Sequence, residues 1–172
     1  MIAVFASCLG GGFGCHPNKL PWPHDAEDMA FFRKITIENH VVFAGRKTAE
    51  GLPRLKMREL FVVSDSGKLE VENNRVAGVF SYQKFLDTAD RLPGAVIGGA
   101  TLLTPAVLDQ CTHVYHTVFL DVYPSDVKLS EETLAWLGRN LPNSKIIKQT
   151  DKFLIREYSN LSEGKSRIIR NV

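Results

Sequence analysis

The chain lacks any apolar run near the ~18–20 residues that a membrane-spanning helix needs. Its first six residues, Met1-Ile2-Ala3-Val4-Phe5-Ala6, carry no charged leader and read as a strand rather than a signal peptide. It has little net charge: 21 Lys and Arg against 19 Asp and Glu leave +2, too small for a nucleic-acid surface. Cysteine is scarce and odd in number. Cys8, Cys15 and Cys111 form no CxxC pair, which fits free thiols in a reducing compartment, so the chain is expected in the cytoplasm. His113 and His116 stand three apart in a strand-like run, on opposite faces, which argues against zinc. Repeats, low-complexity stretches and dividing linkers are also missing.

What remains is ordinary globular material, 44% hydrophobic and 23% charged over 172 residues, enough for one self-supporting core. Apolar stretches alternate with helix-like ones, the pattern of an α/β domain built on a mostly parallel sheet with helices on both faces. Predicted strands cover Ile2–Cys8, Val41–Ala44, Leu60–Ser64, Val76–Phe80, Ala95–Ile97 and His113–Leu120. Predicted helices cover Ala26–Glu38, Tyr82–Arg91 and Thr101–Gln110. Lys145–Gln149 and Lys152–Tyr158 read as a final antiparallel hairpin, closing a domain over residues 1–161. Residues 162–172 read as a polar tail whose Lys165, Arg167 and Arg170 could touch an acidic partner or simply be solvated.

Ligands of open parallel sheets sit at the carboxyl ends of the strands, so the segments following each strand matter most. After the first strand come four glycines in five residues, Gly10 to Gly14, then Pro17, Pro21 and Pro23, which forbid early helix formation. The segment is either a loose connection or a closing loop, and Trp22 among prolines favours a packed one. In the next helix Asp28, Phe32 and Ile35 fall at i, i+4, i+7, one carboxylate on an apolar stripe. With Asp25 as N-cap, Asp28 is either a first-turn acid favourable to the helix dipole or a lone carboxylate for a planar amidine-like ligand.

Gly45-Arg46-Lys47-Thr48 after the second predicted strand reads as an anion-binding turn or a surface turn. Gly98-Gly99-Ala100-Thr101 allows close approach to a phosphate, and a tight strand-to-helix turn explains it as well. Arg58 is either a carboxylate clamp or a solvated flank, and Thr117 a core hydroxyl or the support of a buried acid.

In chain order, strand one, Asn18-Lys19-Leu20-Pro21-Trp22, the helix acid with Phe32 four residues on, GRKT, VVS, IGGA and YHT resemble the dihydrofolate reductase family from about Met1 to Glu157. The resemblance implies NADPH as cofactor, dihydrofolate as substrate, hydride delivery to C6, a monomer more than a homodimer, and inhibition by antifolates such as methotrexate or trimethoprim. It assigns Asp28 to the pterin 2-amino group and N3, with protonation of N5 through water, Thr117 to the support of Asp28, and Phe32 to packing on the pterin. Phe5, Ala6, Leu52 and Ile97 complete the substrate-binding set, and Arg58 takes the substrate's α-carboxylate. Phe13, Gly14, Asn18 and Leu20, with Trp22, form the loop over the nicotinamide. Ser7 stands where the family usually has Ala, at the cofactor-facing end of the first strand. Arg46, Lys47 and Thr48 match the phosphate turn, Ser64 and Asp65 the adenosine-ribose site, and Ile97, Gly98, Gly99, Ala100, Thr101 and Leu102 the pyrophosphate cradle, whose Gly-Gly peptide is typically cis.

Four departures from the family pattern stand out. Ala49 replaces an aromatic, Asp65 brings a negative charge near the expected 2′-phosphate, Leu103 replaces a tyrosine, and Leu55-Lys56-Met57 replaces a proline-glycine turn before Arg58. A pyrimidine reductase of riboflavin synthesis would share the fold and cofactor but lack the Leu-Pro-Trp loop and the helix acid. A non-catalytic relative would have lost Asp28 or the Gly-Gly pair.

Overall fold

The computed structural model describes residues 1–16 and 19–159. An eight-stranded sheet forms the centre, with β1 (Ile2–Cys8), β3 (Val41–Gly45), β4 (Glu59–Val63), β5 (Val76–Phe80), β6 (Ala95–Gly98), β7 (His113–Phe119), β9 (Ser144–Gln149) and β10 (Phe153–Tyr158). The order is β5-β4-β3-β6-β1-β7-β10-β9. Neighbours run parallel from β5 to β7, and β10 pairs antiparallel with both β7 and β9. β1, β3 and β6 sit in the middle as β-branched and aromatic runs that are buried on both faces, as central parallel strands must be.

Helices cover the two faces. On one, α1 (Ala26–Asn39) and α2 (Arg46–Gly51) pack Ile35 and Ala49 against Val4, Val42, Val62 and Ala95. On the other, α3 (Tyr82–Thr88), α4 (Pro105–Leu108) and α5 (Glu131–Arg139) pack Phe85, Val107, Leu108, Trp136 and Leu137 against Ala3, Phe5, Phe43 and Val96. Phe43, Phe61, Phe80 and Phe85 form an aromatic cluster under α3, with ring centroids 5.2–6.4 Å apart. A second, two-stranded sheet joins β2 (Gly12–Gly14) to β8 (Val127–Lys128).

The predicted strands and the terminal hairpin all form, within a residue or two at their ends. Two predicted helices are shorter. Thr101–Gln110 reduces to α4, because a residue before proline is pushed out of the helical region: Thr104 stands at φ −88°, ψ 158° and caps the helix instead. Tyr82–Arg91 becomes α3 followed by a 3₁₀ turn at Ala89–Arg91. α5 was not anticipated, although Ser130 caps it, two glutamates occupy its first turn and Trp136 and Leu137 are buried. The polar tail lies outside the described residues.

The Leu55-Lys56-Met57 turn reaches its conformation by placing Met57, 72% exposed, at φ +62°. A side chain there costs about 1–2 kcal/mol that glycine avoids, offset in part by glycine's freedom in the unfolded chain. Met57→Gly is therefore expected to stabilise the protein by about 0.5–1 kcal/mol, a rise of about 1–4 °C in Tm by calorimetry. An unchanged or lowered Tm contradicts this.

Candidate active site

α1 starts where the Asp25 carboxylate accepts from the backbone N–H of Glu27 and of Asp28, both at 3.0 Å. That cap fixes the first turn, so Asp28 points from the helix toward the sheet. Its carboxylate is 7% exposed and accepts a 2.8 Å hydrogen bond from the Thr117 hydroxyl on β7. The two halves of the pair come from elements 89 positions apart in the chain. Beside Thr117 on the same sheet face stands Ala6 of β1, its registered partner. Phe32, Leu52 and Ile97 pack into the apolar cluster under α1. Trp22, 4% exposed, stacks on Phe119 with centroids 4.5 Å apart, so the proline-flanked loop is anchored there.

Burial pushes the Asp28 carboxyl above its ordinary value, because desolvation penalises the charged form. The Thr117 hydrogen bond and Lys148 act in the opposite direction, and Asp25 adds to the rise. Lys148 Nζ is held 3.1 Å from the Glu27 carboxylate, an ion pair joining β9 to the first turn of α1.

Further along α1, Arg58 Nη1 donates to Thr36 Oγ1 at 3.0 Å and Nε donates to the Lys56 carbonyl at 3.0 Å. The half-buried guanidinium is thereby fixed against the helix. Desolvation, then the nearby Arg33, lowers its pKa from the ordinary value. A second cation beside it leaves positive potential at this end of the slot.

At the carboxyl ends of the parallel strands lies a cavity of about 480 Å³. Arg46, Lys47, Thr48, Ser64, Asp65, Gly99, Thr101 and Leu102 all border it. Gly45, from the same predicted turn, borders it too, as do Val63 and Tyr82, which carried no site signal in the sequence. Tyr82 is a half-buried ring at the start of α3, hydrogen-bonded through its hydroxyl to Thr104 at 2.9 Å. Asp65 accepts from the Tyr82 N–H at 3.2 Å, so part of its charge is spent on capping α3 rather than facing the cavity alone.

The Gly98–Gly99 peptide is cis, and a Cβ at Gly99 would lie 3.0 Å from Thr48 Oγ1. Bare backbone at that point leaves room for a phosphate group between two cations and a hydroxyl. Phe13 overhangs the same turn, 3.0 Å from where a Gly98 Cβ would be. Gly14 lies in β2, and Leu20 is exposed on the following loop. Asn18 falls outside the described residues. Ser7 differs from the other members of the set: its side chain turns to the sheet face opposite Asp28 and meets His116, leaving its backbone on the strand end. Ala49 and Leu103, both 0% exposed, are absorbed into the two cores.

An α/β protein with a cation- and glycine-lined cleft at its strand ends and one buried carboxylate under α1 has the architecture of a nucleotide-cofactor reductase. A family model described as dihydrofolate reductase matches residues 1–147. Dihydrofolate reductase type A10 of Escherichia coli is 35% identical over 156 residues, covering 78% of this chain and 82% of that protein. Type 9 of the same organism is 36% identical over 83 residues, 48% of this chain and 45% of the relative. A dihydrofolate reductase from Enterococcus faecalis, solved with NADP(H) and RAB-propyl, superposes with a TM-score of 0.69 at 23% identity, over 92% of this chain and 95% of that one. This chain belongs to the dihydrofolate reductase family.

The Thr117 hydroxyl holds the Asp28 charge, so its loss should leave the acid weaker. Thr117→Val is expected to move the Asp28 carboxyl titration to higher pH, followed by ¹³C NMR on labelled aspartate. A titration unmoved by the substitution contradicts the pairing.

Proposed function

We infer that this chain reduces 7,8-dihydrofolate to 5,6,7,8-tetrahydrofolate with NADPH. The observation that carries the reading is one buried, hydroxyl-supported carboxylate, Asp28, in an apolar slot next to a cationic, glycine-floored cleft. NADPH, when bound, supplies the hydride, and the protein arranges everything else.

Arg46, Lys47 and Thr48 have the charge and hydroxyl to hold phosphates, with Gly98, Gly99, Ala100, Thr101 and Leu102 presenting backbone to the pyrophosphate. Ser64 and Tyr82 border the adenosine end. Asp65 is engaged by α3, so the paired charges of Arg46 and Lys47 favour NADPH over NADH. Phe13, Gly14, Leu20 and Trp22 cover the nicotinamide end and exclude water, with Asn18 assigned to the same loop. Ser7 contributes to that end through its backbone.

Asp28 orients the pterin by accepting from its 2-amino group and N3, while Ala6, Phe32, Leu52 and Ile97 supply apolar contact. The Phe5 side chain, one residue before Ala6, lies on the opposite sheet face, stacked on His116, and so falls outside this slot. Hydride addition at C6 creates negative charge on N5, so a proton there lowers the barrier. A carboxyl whose pKa is raised by burial holds its proton to higher pH than an exposed aspartate does and can pass it through water to N5. Thr117 keeps the carboxyl oriented, and Arg58 takes the substrate's α-carboxylate. Antifolates such as methotrexate or trimethoprim, whose diaminopyrimidine rings present the same donor pair, should bind Asp28. No helix among the described residues is long and apolar enough to cross a membrane. A monomer in the cytoplasm is what the likeness to the family implies.

Absorbance loss at 340 nm with NADPH and dihydrofolate, abolished by methotrexate, tests the assignment directly. Asp28→Asn is expected to lower kcat by about 10²–10⁴-fold at neutral pH, with partial recovery in acid. The same substitution should raise Tm at neutral pH. The folded-state pKa is raised, so ionised Asp28 costs stability above that pH, and the cost fades as pH falls through it. Undiminished turnover by the variant removes Asp28 from the mechanism.

A further inference from the structure

The face of the sheet turned away from Asp28 carries a second cavity, of about 240 Å³, between β1, β7 and β10 below and α5 above. For comparison, a cavity of roughly 150 Å³ accepts a benzene ring. Its floor follows one row across three strands. Phe5 of β1 registers with His116 of β7, and His116 with Arg156 of β10. The residue types in that row set its chemistry. Phe5 stacks on the His116 ring at 4.8 Å and fixes its plane. The Ser7 hydroxyl lies 2.7 Å from His116 Nε2. Val118, Leu134, Leu137 and Leu141 give the cavity an apolar wall.

Two polar groups in this apolar setting are left with unused capacity. His116 is 5% exposed, and its second ring nitrogen, Nδ1, has no hydrogen-bond partner among the described residues. No side-chain nitrogen or oxygen among those residues is sealed from solvent without a partner, so Nδ1 is not sealed, and His116 itself lines the cavity. Arg156 is half-buried, donates one bond to Ser144 Oγ at 3.2 Å, and belongs to none of the ion pairs among the described residues. A half-buried guanidinium with no carboxylate partner among the described residues is suited to receive an anion.

We propose that this cavity is a binding site for a small apolar carboxylic acid of single-ring size, its carboxylate on Arg156 and His116 Nδ1 and its body against Val118, Leu134 and Leu137. The Ser7–His116 bond selects the geometry. When the Ser7 hydroxyl donates to Nε2, Nδ1 carries the hydrogen and donates toward the same oxygen pair that Arg156 attracts. Burial and the nearby Arg156 push the free His116 down to about 3, so the ring is neutral and Arg156 supplies the only full charge. The site shares no side chain with the folate slot. Ser7 and His116 stand one residue away from Ala6 and Thr117, which puts them on the opposite sheet face.

The test uses the whole chain saturated with NADPH, titrated with phenylacetate and, separately, with its neutral isostere phenylacetamide, and followed by ¹H–¹⁵N NMR. Phenylacetate should shift Phe5, Ser7, His116 and Arg156 saturably with a Kd of about 1 mM or tighter. The amide should bind at least tenfold more weakly, and Arg156→Gln should erase that difference. The acid-to-amide comparison on the unaltered protein stands even if the variant fails to fold. An absence of saturable shifts, equal binding of acid and amide, or shifts centred on Asp28 and Thr117 overturns the proposal.

Discussion

A single 2.8 Å hydrogen bond, from the Thr117 hydroxyl to the Asp28 carboxylate, joins α1 to β7, where the parallel part of the sheet meets its antiparallel edge. An ionised carboxylate 7% exposed in an apolar setting is costly unless it is paired or hydrogen-bonded. The hydroxyl meets part of that cost and leaves the rest as a raised affinity for a proton. Too strong a partner, such as an adjacent arginine, would lock Asp28 in the charged form. With no partner at all, its orientation would be lost. The Asp25 cap and the Lys148–Glu27 pair hold the first turn of α1 in place around this bond.

The sheet separates tasks by position. Strand ends gather the cations and glycines that suit phosphates, one face carries the apolar slot with its acid, and the other face carries the larger core with its Phe5–His116–Arg156 row. The alternation of side chains along β1 and β7 makes this possible, since adjacent residues serve opposite faces. Ala6 and Thr117 look to the slot, Ser7 and His116 to the far side.

Much of this arrangement was legible because it is local. Continuous apolar runs marked the central strands, and the Asp25 cap with the Asp28, Phe32, Ile35 spacing marked both a helix and the acid on its inner face. The strand-turn segments GRKT and IGGA, each open between an anion site and a plain turn, meet at the cavity on the strand ends. Pairings across long stretches of chain were less visible. Nothing in the vicinity of Ser7 announces His116, 109 positions away, and the sequence around His116 carries no sign of a hydroxyl partner. Tyr82 was read as a helix start and not as a wall of the cleft. α5 escaped because its apolar stripe is short and ends at Gly138, though its cap and acidic first turn were signals in plain sequence. Pro105 shortened α4 by a rule of backbone sterics that the apolar pattern alone did not overrule.

The most direct measurement of the central claim is the pH dependence of the single-turnover hydride-transfer rate, followed with NADPH and dihydrofolate. If Asp28 is the buried proton-holding group, the rate stays level in acid and falls about tenfold per pH unit above a break lying higher than 3.8, and Thr117→Val moves that break upward. A rate independent of pH across the neutral range, or a break unaffected by Thr117→Val, contradicts it.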